Sequence, residues 1–413
     1  MVKLIGYEWR KHFLKKSIIA AMLLFSALNV AKIYSVHEGS SLLSKNVTGP
    51  AWKELYWKMY EEFSGTITDE KIEKLMAIYR PLEKQTADLT ASTTYRTSNT
   101  YLTNVYEDWN FFRFNYVNPM KYAYDYKAYA HGVVTAAKDN MGFYESIGNS
   151  YEYQKNAAIA KLFQGRSITS FSYTEMYKYY VQYDFSAFLA LLICLYGLMS
   201  VFLSEKETEM DTLLLTTKAG GVKTVWAKLM ASVLFVVGVC FWFWIVDFVS
   251  FSVLFGSWDA ASSPLYVLED FIHASLNVSL GQYAVLSALV KTAGMLVFAL
   301  AFLLISCLFR NALIPFIAGL FTAFGCIYLE EAYMGSGRVL LKIINPFVLV
   351  VNRELFRKAE FVPLMGYPLP SYIAALLFAV AWGVILLCAI MIVVRKNALR
   401  KGGRKACRYG CMR

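Results

Sequence analysis

The chain has 413 residues, of which 57% are hydrophobic and only 17% are charged. Soluble domains carry about 25% charged residues, so this composition excludes an ordinary soluble protein and indicates a membrane protein. The formal net charge of +11 does not indicate nucleic-acid binding, because eight of the Lys and Arg residues lie in the tail after the last apolar segment, where they suit membrane topology.

The first sixteen residues, MVKLIGYEWRKHFLKK, have the pattern of an amphipathic helix. One helical stripe is apolar and is made of Val2, Ile5, Trp9 and Phe13. Basic residues occupy the rest of the surface, which is typical of a helix that lies in the membrane interface. The alternative is that residues 1–16 are simply the start of the first span.

Six apolar segments are each near the roughly 20 residues that cross a bilayer, and they predict an all-α polytopic fold. They are residues 17–34, 184–204, 228–255, 283–309, 312–329 and 371–394. The apolar run of the first segment is followed by Lys32 and Tyr34 and not by a cleavage site, so we expect a retained span. Eighteen Lys and Arg residues fall on the side of the termini and five in the two short loops opposite. The positive-inside rule then predicts a multi-pass protein of the plasma membrane with both termini, including the tail 395–413, in the cytoplasm.

The segment 35–183 is long enough to form a domain and would be extracellular. It contains no cysteine and is rich in aromatic residues, so we expect a mostly helical domain with an aromatic core. A tyrosine surface that binds a ligand is the alternative. Thr68 or Asp69 is the predicted N-cap of one helix, and Pro81 is expected to end or kink it. Gly165 is expected to stop another helix.

Two further loops would face the same side. Residues 256–282 carry acids but no Lys or Arg. Residues 330–370 contain the apolar stretch Val339–Val351, which is too short to span and is broken at Asn345 and Pro346. This pattern predicts a re-entrant segment.

Two charged residues lie well inside predicted spans, away from their ends. Asp247 and Lys291 are each about eight residues from the same end of consecutive antiparallel spans, which predicts an intramembrane charge pair. The alternative is that Lys291 extends towards the interface and Asp247 faces a wet cavity alone.

The connector 205–227 combines acids with a leucine patch. Its acids, beginning with Glu205 and Glu207, are expected to start a short cytoplasmic helix, because negative charge suits a helix N-terminus. The leucines are too few to enter a bilayer but enough to fill a groove on a partner. The candidate coupling residues are Glu205, Glu207, Leu213, Leu214, Leu215, Thr217 and Lys218. The alternative is a solvated connector.

Motifs of catalysis and nucleotide binding are missing from the sequence. The stretch GGVKT at 220–224 lacks the first glycine and the spacing of a phosphate-binding loop. The cysteines and histidines match no metal-site spacing. We therefore expect no catalytic residue, no metal and no cofactor bound by this chain.

The stretch SEKETEMDTLLLTTKAGGVKTVWAKL resembles the coupling-helix region of ABC-2 type (type V) exporter permeases. That family has acid, base and acid after span two, then a leucine pair, a threonine and a lysine that enters span three. Here these are Glu205-Lys206-Glu207, Leu214-Leu215, Thr217 and Lys228. The six spans, the insertion after the first, LFRN at 308–311 and NPFVLV at 345–350 agree. Glu209-Met210 and Lys218 depart from the family's Gly-Thr and proline.

The resemblance implies a permease subunit that pairs with a second permease chain, identical or related, and with ABC ATPase subunits that bind ATP and Mg. It also implies alternating access and export of a peptide-like or amphiphilic cargo. The alternative is a sensor or immunity module, in which the extracellular domain binds a ligand without transport.

Overall fold

The computed structural model describes residues 1–40, 49–88, 101–102, 104–207, 222–309, 311, 313–333 and 339–410, with side chains described up to residue 396. Within these ranges six helices are long and apolar enough to cross a membrane. The chain is therefore an all-α polytopic membrane protein. The six candidate spans overlap the six apolar segments of the sequence.

Spans one to six are the helices Lys16–Glu38, Phe185–Glu207, Val222–Phe255, Leu280–Leu308, Leu313–Tyr333 and Ser371–Gly410. Span four begins with a capping box in which Ser279 Oγ accepts from the Gln282 N–H and Gln282 Oε1 accepts from the Ser279 N–H. Span three ends at Gly256, whose φ of +82° is accessible to glycine without strain. The side of the spans that holds both termini is called the terminal side below, and the opposite side the domain side.

The N-terminal helix Val2–His12 is separate from span one and packs on spans two and three. Phe13, directly after it, stacks on Phe235 of span three with ring centroids 4.3 Å apart. The Phe235 ring in turn lies on Gly197 of span two, where a Cβ atom would be 2.7 Å from the ring. The missing side chain of Gly197 therefore lets the two spans and the N-terminal helix approach closely.

Residues 39–183, between spans one and two, form the inter-span domain, which is mostly helical where it is described. Its helices are Gly49–Phe63, Asp69–Asp88, Val105–Phe112, Asn118–Ser146, Ser150–Phe163 and Glu175–Gln182, with a π-helical turn at Arg113–Val117. Two short strands, β1 (Gly65–Thr66) and β2 (Ser170–Phe171), pair antiparallel. The helix Asp69–Asp88 contains Pro81 in its interior, so of the two expected effects of this proline, an end or a kink, the end does not occur.

The core of the inter-span domain is built from tyrosines whose hydroxyl groups donate to backbone carbonyls. Buried Tyr116 donates to the Tyr56 carbonyl at 2.5 Å, and buried Tyr173 donates to the Phe255 carbonyl of span three at 2.9 Å. Burial raises the pKa of both phenols, so each keeps its proton as a donor. These contacts support the core interpretation of the aromatic residues over a ligand-binding surface.

The inter-span domain is fastened to the loop between spans three and four. Tyr122 and Tyr126, one turn apart on the helix Asn118–Ser146, donate to the carbonyls of Tyr266 and Ile272 at 2.8 and 3.1 Å. Buried Arg166 donates to the Ala274 carbonyl at 2.8 Å. The domain and this loop therefore share one continuous core.

The segment between spans five and six is described from residue 339 onward. Its described part consists of the helices Val339–Ile344, Phe347–Val350 and Arg353–Arg357, then the antiparallel hairpin of β3 (Phe361–Leu364) and β4 (Tyr367–Pro370). The hairpin turn uses Met365 and Gly366, both at positive φ, as a two-residue turn requires. The helical break falls at Asn345 and Pro346, as the sequence predicts.

Candidate functional site

The acids that begin the predicted coupling segment belong to span two. Glu205 and Glu207 form the last turn of the helix Phe185–Glu207, so the expectation that they start a new helix is wrong. At a helix C-terminus a carboxylate faces the negative end of the dipole and needs positive partners. The predicted coupling residues Leu213, Leu214, Leu215, Thr217 and Lys218 lie outside the described residues.

Glu205 finds those partners on two other elements. Its Oε1 lies 2.9 Å from Lys11 Nζ of the N-terminal helix, and its Oε2 lies 2.5 Å from Lys228 Nζ of span three. Lys228 is only 2% exposed, and its Nζ also donates to the Val201 carbonyl at 3.1 Å. One carboxylate therefore joins three elements on the terminal side.

A second buried pair lies beside Glu205. Glu8 Oε2 is 3.2 Å from His12 Nε2, one turn along the N-terminal helix. Burial lowers the pKa of His12, against the raising effect of Glu8. Burial raises the pKa of Glu8, but His12 and the charges of Lys228 and Lys11 outweigh it, so the pKa of Glu8 lies below its usual value. We call Glu8, Lys11, His12, Glu205 and Lys228 the Glu205 cluster.

Lys206, the residue after Glu205, donates hydrogen bonds to the end of span four. Its Nζ donates to the carbonyls of Ser306 at 3.3 Å and Phe309 at 3.1 Å, and also to that of Cys307. These carbonyls lack partners within the helix, and a lysine at this position caps them and suits the helix dipole. Two consecutive residues of span two therefore connect it to the N-terminal helix, span three and span four.

On the domain side the expected Asp247–Lys291 ion pair is replaced by two separate contacts. Lys291 Nζ lies 3.2 Å from Asp184 Oδ1. Asp247 accepts from Asn29 Nδ2 at 2.6 Å and from Ser186 Oγ at 2.5 Å. The physical reason is the start of span two, where Asp184 and Ser186 offer each charged group a nearer polar partner.

Asp247 and Lys291 nevertheless line one cavity of about 320 Å³ between spans two, three and four. Its lining is predominantly apolar and aromatic, with polar groups that include Ser186, Thr292 and these two charges. The residues at its mouth are exposed on the faces of spans three and four and comprise Val237, Phe241, Val285 and Leu289. The cavity is therefore polar at its floor and apolar at its mouth.

The helices Val339–Ile344 and Phe347–Val350, predicted as a re-entrant segment, pack against spans four, five and six. Asn345 Nδ2 donates to the Cys326 carbonyl of span five at 2.7 Å, and Asn345 Oδ1 accepts from the Phe347 N–H at 3.1 Å. Asn345 thus provides side-chain hydrogen bonds at the point where Pro346 interrupts the helix. At Gly294 of span four an added Cβ atom would lie 3.0 Å from the Val350 backbone nitrogen. A side chain at position 294 would therefore collide with this segment.

Several of these residues were missed by sequence reasoning. Asn29 and Ser186 carry a weak signal, because each is a polar residue in an apolar segment. Glu8 and His12 are spaced by one helical turn, which permits a pair but does not show that it is buried. The contacts of Lys11 depend on a fold between distant parts of the chain and have no local signal.

No protein-family model, curated protein or solved structure matches this chain. Membership of a family is therefore not shown, and the case for a function depends on the geometry of these sites and on the resemblance of the segment that follows span two.

Proposed function

We propose that this chain is the membrane-spanning permease subunit of an ABC exporter in the plasma membrane, with both termini cytoplasmic and the inter-span domain extracellular. It acts with a second permease chain and with ABC ATPase subunits that bind ATP and Mg. The chain itself is not an enzyme. Its cargo is a peptide-like or amphiphilic molecule.

The observation that carries this proposal is the Glu205 cluster. Residues 208–221, which resemble a coupling helix, are bounded by span two and span three, and Glu205 and Lys228 join these spans near both ends of the segment. A force applied to the segment by an ATPase then reaches both spans together. The contact with Lys11 includes the N-terminal helix in the same movement.

Contacts at both ends of span two connect it to span four, which forms one side of the cavity. Lys206 holds the terminal-side end of span four, and Asp184 holds Lys291 nearer its other end. A movement of span two therefore shifts span four and changes the walls of the cavity between spans two, three and four. Alternating access requires this kind of connection between the ATPase side and a central cavity.

The alternative function is a sensor or immunity module that binds a ligand without transport. It is favoured by a groove of about 720 Å³ on the inter-span domain. Tyr79 and Trp109 line this groove, and the Arg113 guanidinium lies 4.7 Å from the Trp109 ring centroid. A sensor would bind its ligand there without changing the rate of ATP hydrolysis of a partner.

The test is ATP hydrolysis by the assembled complex in lipid nanodiscs. The chain is purified from its native membrane, and co-purifying subunits are identified by mass spectrometry. We expect a subunit with nucleotide-binding motifs and a hydrolysis rate that changes when an amphiphilic cargo is added. A chain that co-purifies with no ATPase, or an ATPase whose rate is indifferent to this chain, would contradict the exporter.

A further inference from the structure

Two acids and one base lie in or beside the cavity between spans two, three and four: Asp247 and Lys291 line it, and Asp184 adjoins it through its contact with Lys291. Lys291 is paired with Asp184, and these two groups neutralise each other. The two groups that hold Asp247, Asn29 and Ser186, are neutral donors. With Asp247 and Asp184 as carboxylates and Lys291 as an ammonium group, these three groups sum to a net charge of −1. A buried carboxylate is stabilised by a cation that shares its low-dielectric surroundings.

The walls of the cavity are suited to an organic cation. Trp244, Tyr180 and Tyr183 line it together with Phe241 and Phe243. The faces of aromatic rings attract ammonium groups, and tryptophan does so most strongly. A small inorganic ion would instead require several oxygen ligands around one point, whereas this lining is mostly apolar.

The size and the mouth of the cavity indicate that the cation is the head of a longer molecule. About 320 Å³ is near the lower limit of small-molecule pockets, so only a head group and a short stem are enclosed. At the mouth, Phe241 is 57% and Leu289 is 64% exposed. Both lie on faces of spans that meet the hydrocarbon part of a bilayer, where an alkyl chain is stable.

We propose that this cavity binds a monocationic amphiphile, with its ammonium head beside Asp247 and its alkyl chain leaving between spans three and four into the bilayer. The inference rests on the proposed function, because it names the class of cargo that the permease would export. An anionic head is disfavoured, since Lys291 is already paired with Asp184 and Asp247 repels an anion.

The test uses the purified full-length chain, without any ATPase, in maltoside micelles. Three photoreactive probes share one alkyl chain with a diazirine near the head and differ only in the head: trimethylammonium, hydroxyl or carboxylate. Labelled peptides are mapped by mass spectrometry. We expect the ammonium probe alone to label the mouth, at Phe241, Val285 or Leu289.

Four variants distinguish the effect of charge in the cavity from the effect of free space at its mouth. Asp247→Asn should reduce this labelling by about tenfold or more, as for the loss of one partner of a buried charge pair. Glu330→Gln is the matched control, because Glu330 is a buried acid of span five that does not line the cavity. Lys291→Met should leave or increase labelling. Leu289→Trp should block the mouth without a change of charge, and its exposed position keeps the fold.

Equal labelling of the mouth by the three probes would overturn the proposal, as would wild-type labelling in Asp247→Asn. If Asp247→Asn does not fold, head-group selectivity and the effect of Leu289→Trp decide the question. The proposal would also be overturned if the carboxylate probe labelled the mouth most strongly and this preference disappeared in Lys291→Met. Because no ATPase is present, failure here leaves the exporter proposal standing, and selective labelling stands even if no ATPase partner is found.

Discussion

Glu205 and Lys228 form an ion pair in which Oε2 and Nζ lie 2.5 Å apart. In the chain, the two residues are separated by the 22 residues 206–227. The pair closes the base of the connector between spans two and three. Because Lys228 is almost fully buried, its charge depends on Glu205 for compensation. The stability of the terminal side should therefore be sensitive to this carboxylate.

Replacement of Glu205 by Gln should destabilise the chain. It leaves the Lys228 charge buried without its partner, which costs roughly 3 kcal/mol. We expect a clear fall in the apparent melting temperature of the detergent-solubilised chain. The control is Glu207→Gln, two residues along the same helix but exposed, which should have little effect. Equal melting temperatures for the two variants would show that the pair is not important for stability.

Acidification should release the N-terminal helix. The pKa of His12 in the folded chain is below the usual 6.5, so the unfolded helix binds a proton at higher pH than the docked helix does. Docking is then strongest above about pH 6.5 and weakens as the pH falls through the window below it. Glu8, whose pKa is also lowered, acts in the same direction at lower pH.

The measurement is the hydrogen-exchange protection factor of residues 2–12 at about pH 7.5 and about pH 5.5, corrected for intrinsic exchange rates. Protection should be lower at the acidic pH. His12→Gln keeps a polar side chain without a titration in this range, and its pH dependence should be smaller. Protection that rises on acidification, or an unchanged pH dependence in His12→Gln, would contradict the assignment.

A double-mutant cycle should identify Asp184 as the partner of Lys291. Asp184→Asn and Lys291→Met, singly and together, should give a coupling free energy on the order of 1 kcal/mol, because both side chains are about a quarter exposed. The same cycle with Asp247→Asn should give a smaller value. A larger coupling free energy between Lys291 and Asp247 than between Lys291 and Asp184 would instead support the direct pair that the sequence predicted.

Gly294→Ala should loosen the packing of the helix Phe347–Val350 against span four. The added methyl group would meet the Leu349 Cβ at 2.9 Å and the Val350 backbone nitrogen at 3.0 Å, and neither atom is the end of a flexible side chain. Overpacking of this kind costs about 1–3 kcal/mol. Gly325→Ala in span five is the control, since no atom lies within 4 Å of its added Cβ. Equal thermal stability of the two variants would exclude tight packing at Gly294.

The sequence predicted the spans well because their signal is local. Twenty consecutive apolar residues have few alternatives to a membrane helix, and the break at Pro346 follows from the chemistry of one residue. The helix that continues through Pro81 shows the limit of local rules, because its buried residues Leu75, Tyr79 and Leu82 hold both sides of the proline in one helix.

The candidate sites were less predictable because their partners are distant in the chain. Asp247 and Lys291, predicted as a pair from their equal depth, line one cavity, but depth does not reveal which other polar groups lie near each of them. Asp184 and Ser186 are those groups. Likewise, the acids after Ser204 suggested a new helix, whereas the contacts with Lys11 and Lys228 stabilise Glu205 at the end of span two.

The most direct test of the account is a pull-down of the ATPase by the chain in which Leu214 and Leu215 are both changed to Asp. If these leucines dock in an apolar groove, two buried charges cost several kcal/mol and the ATPase should be lost while the chain still reaches the membrane. Leu364→Asp with Met365→Asp, at the exposed hairpin turn on the domain side, should retain the ATPase. Recovery of the ATPase at the wild-type level by the Leu214 and Leu215 variant would contradict the coupling role of this segment.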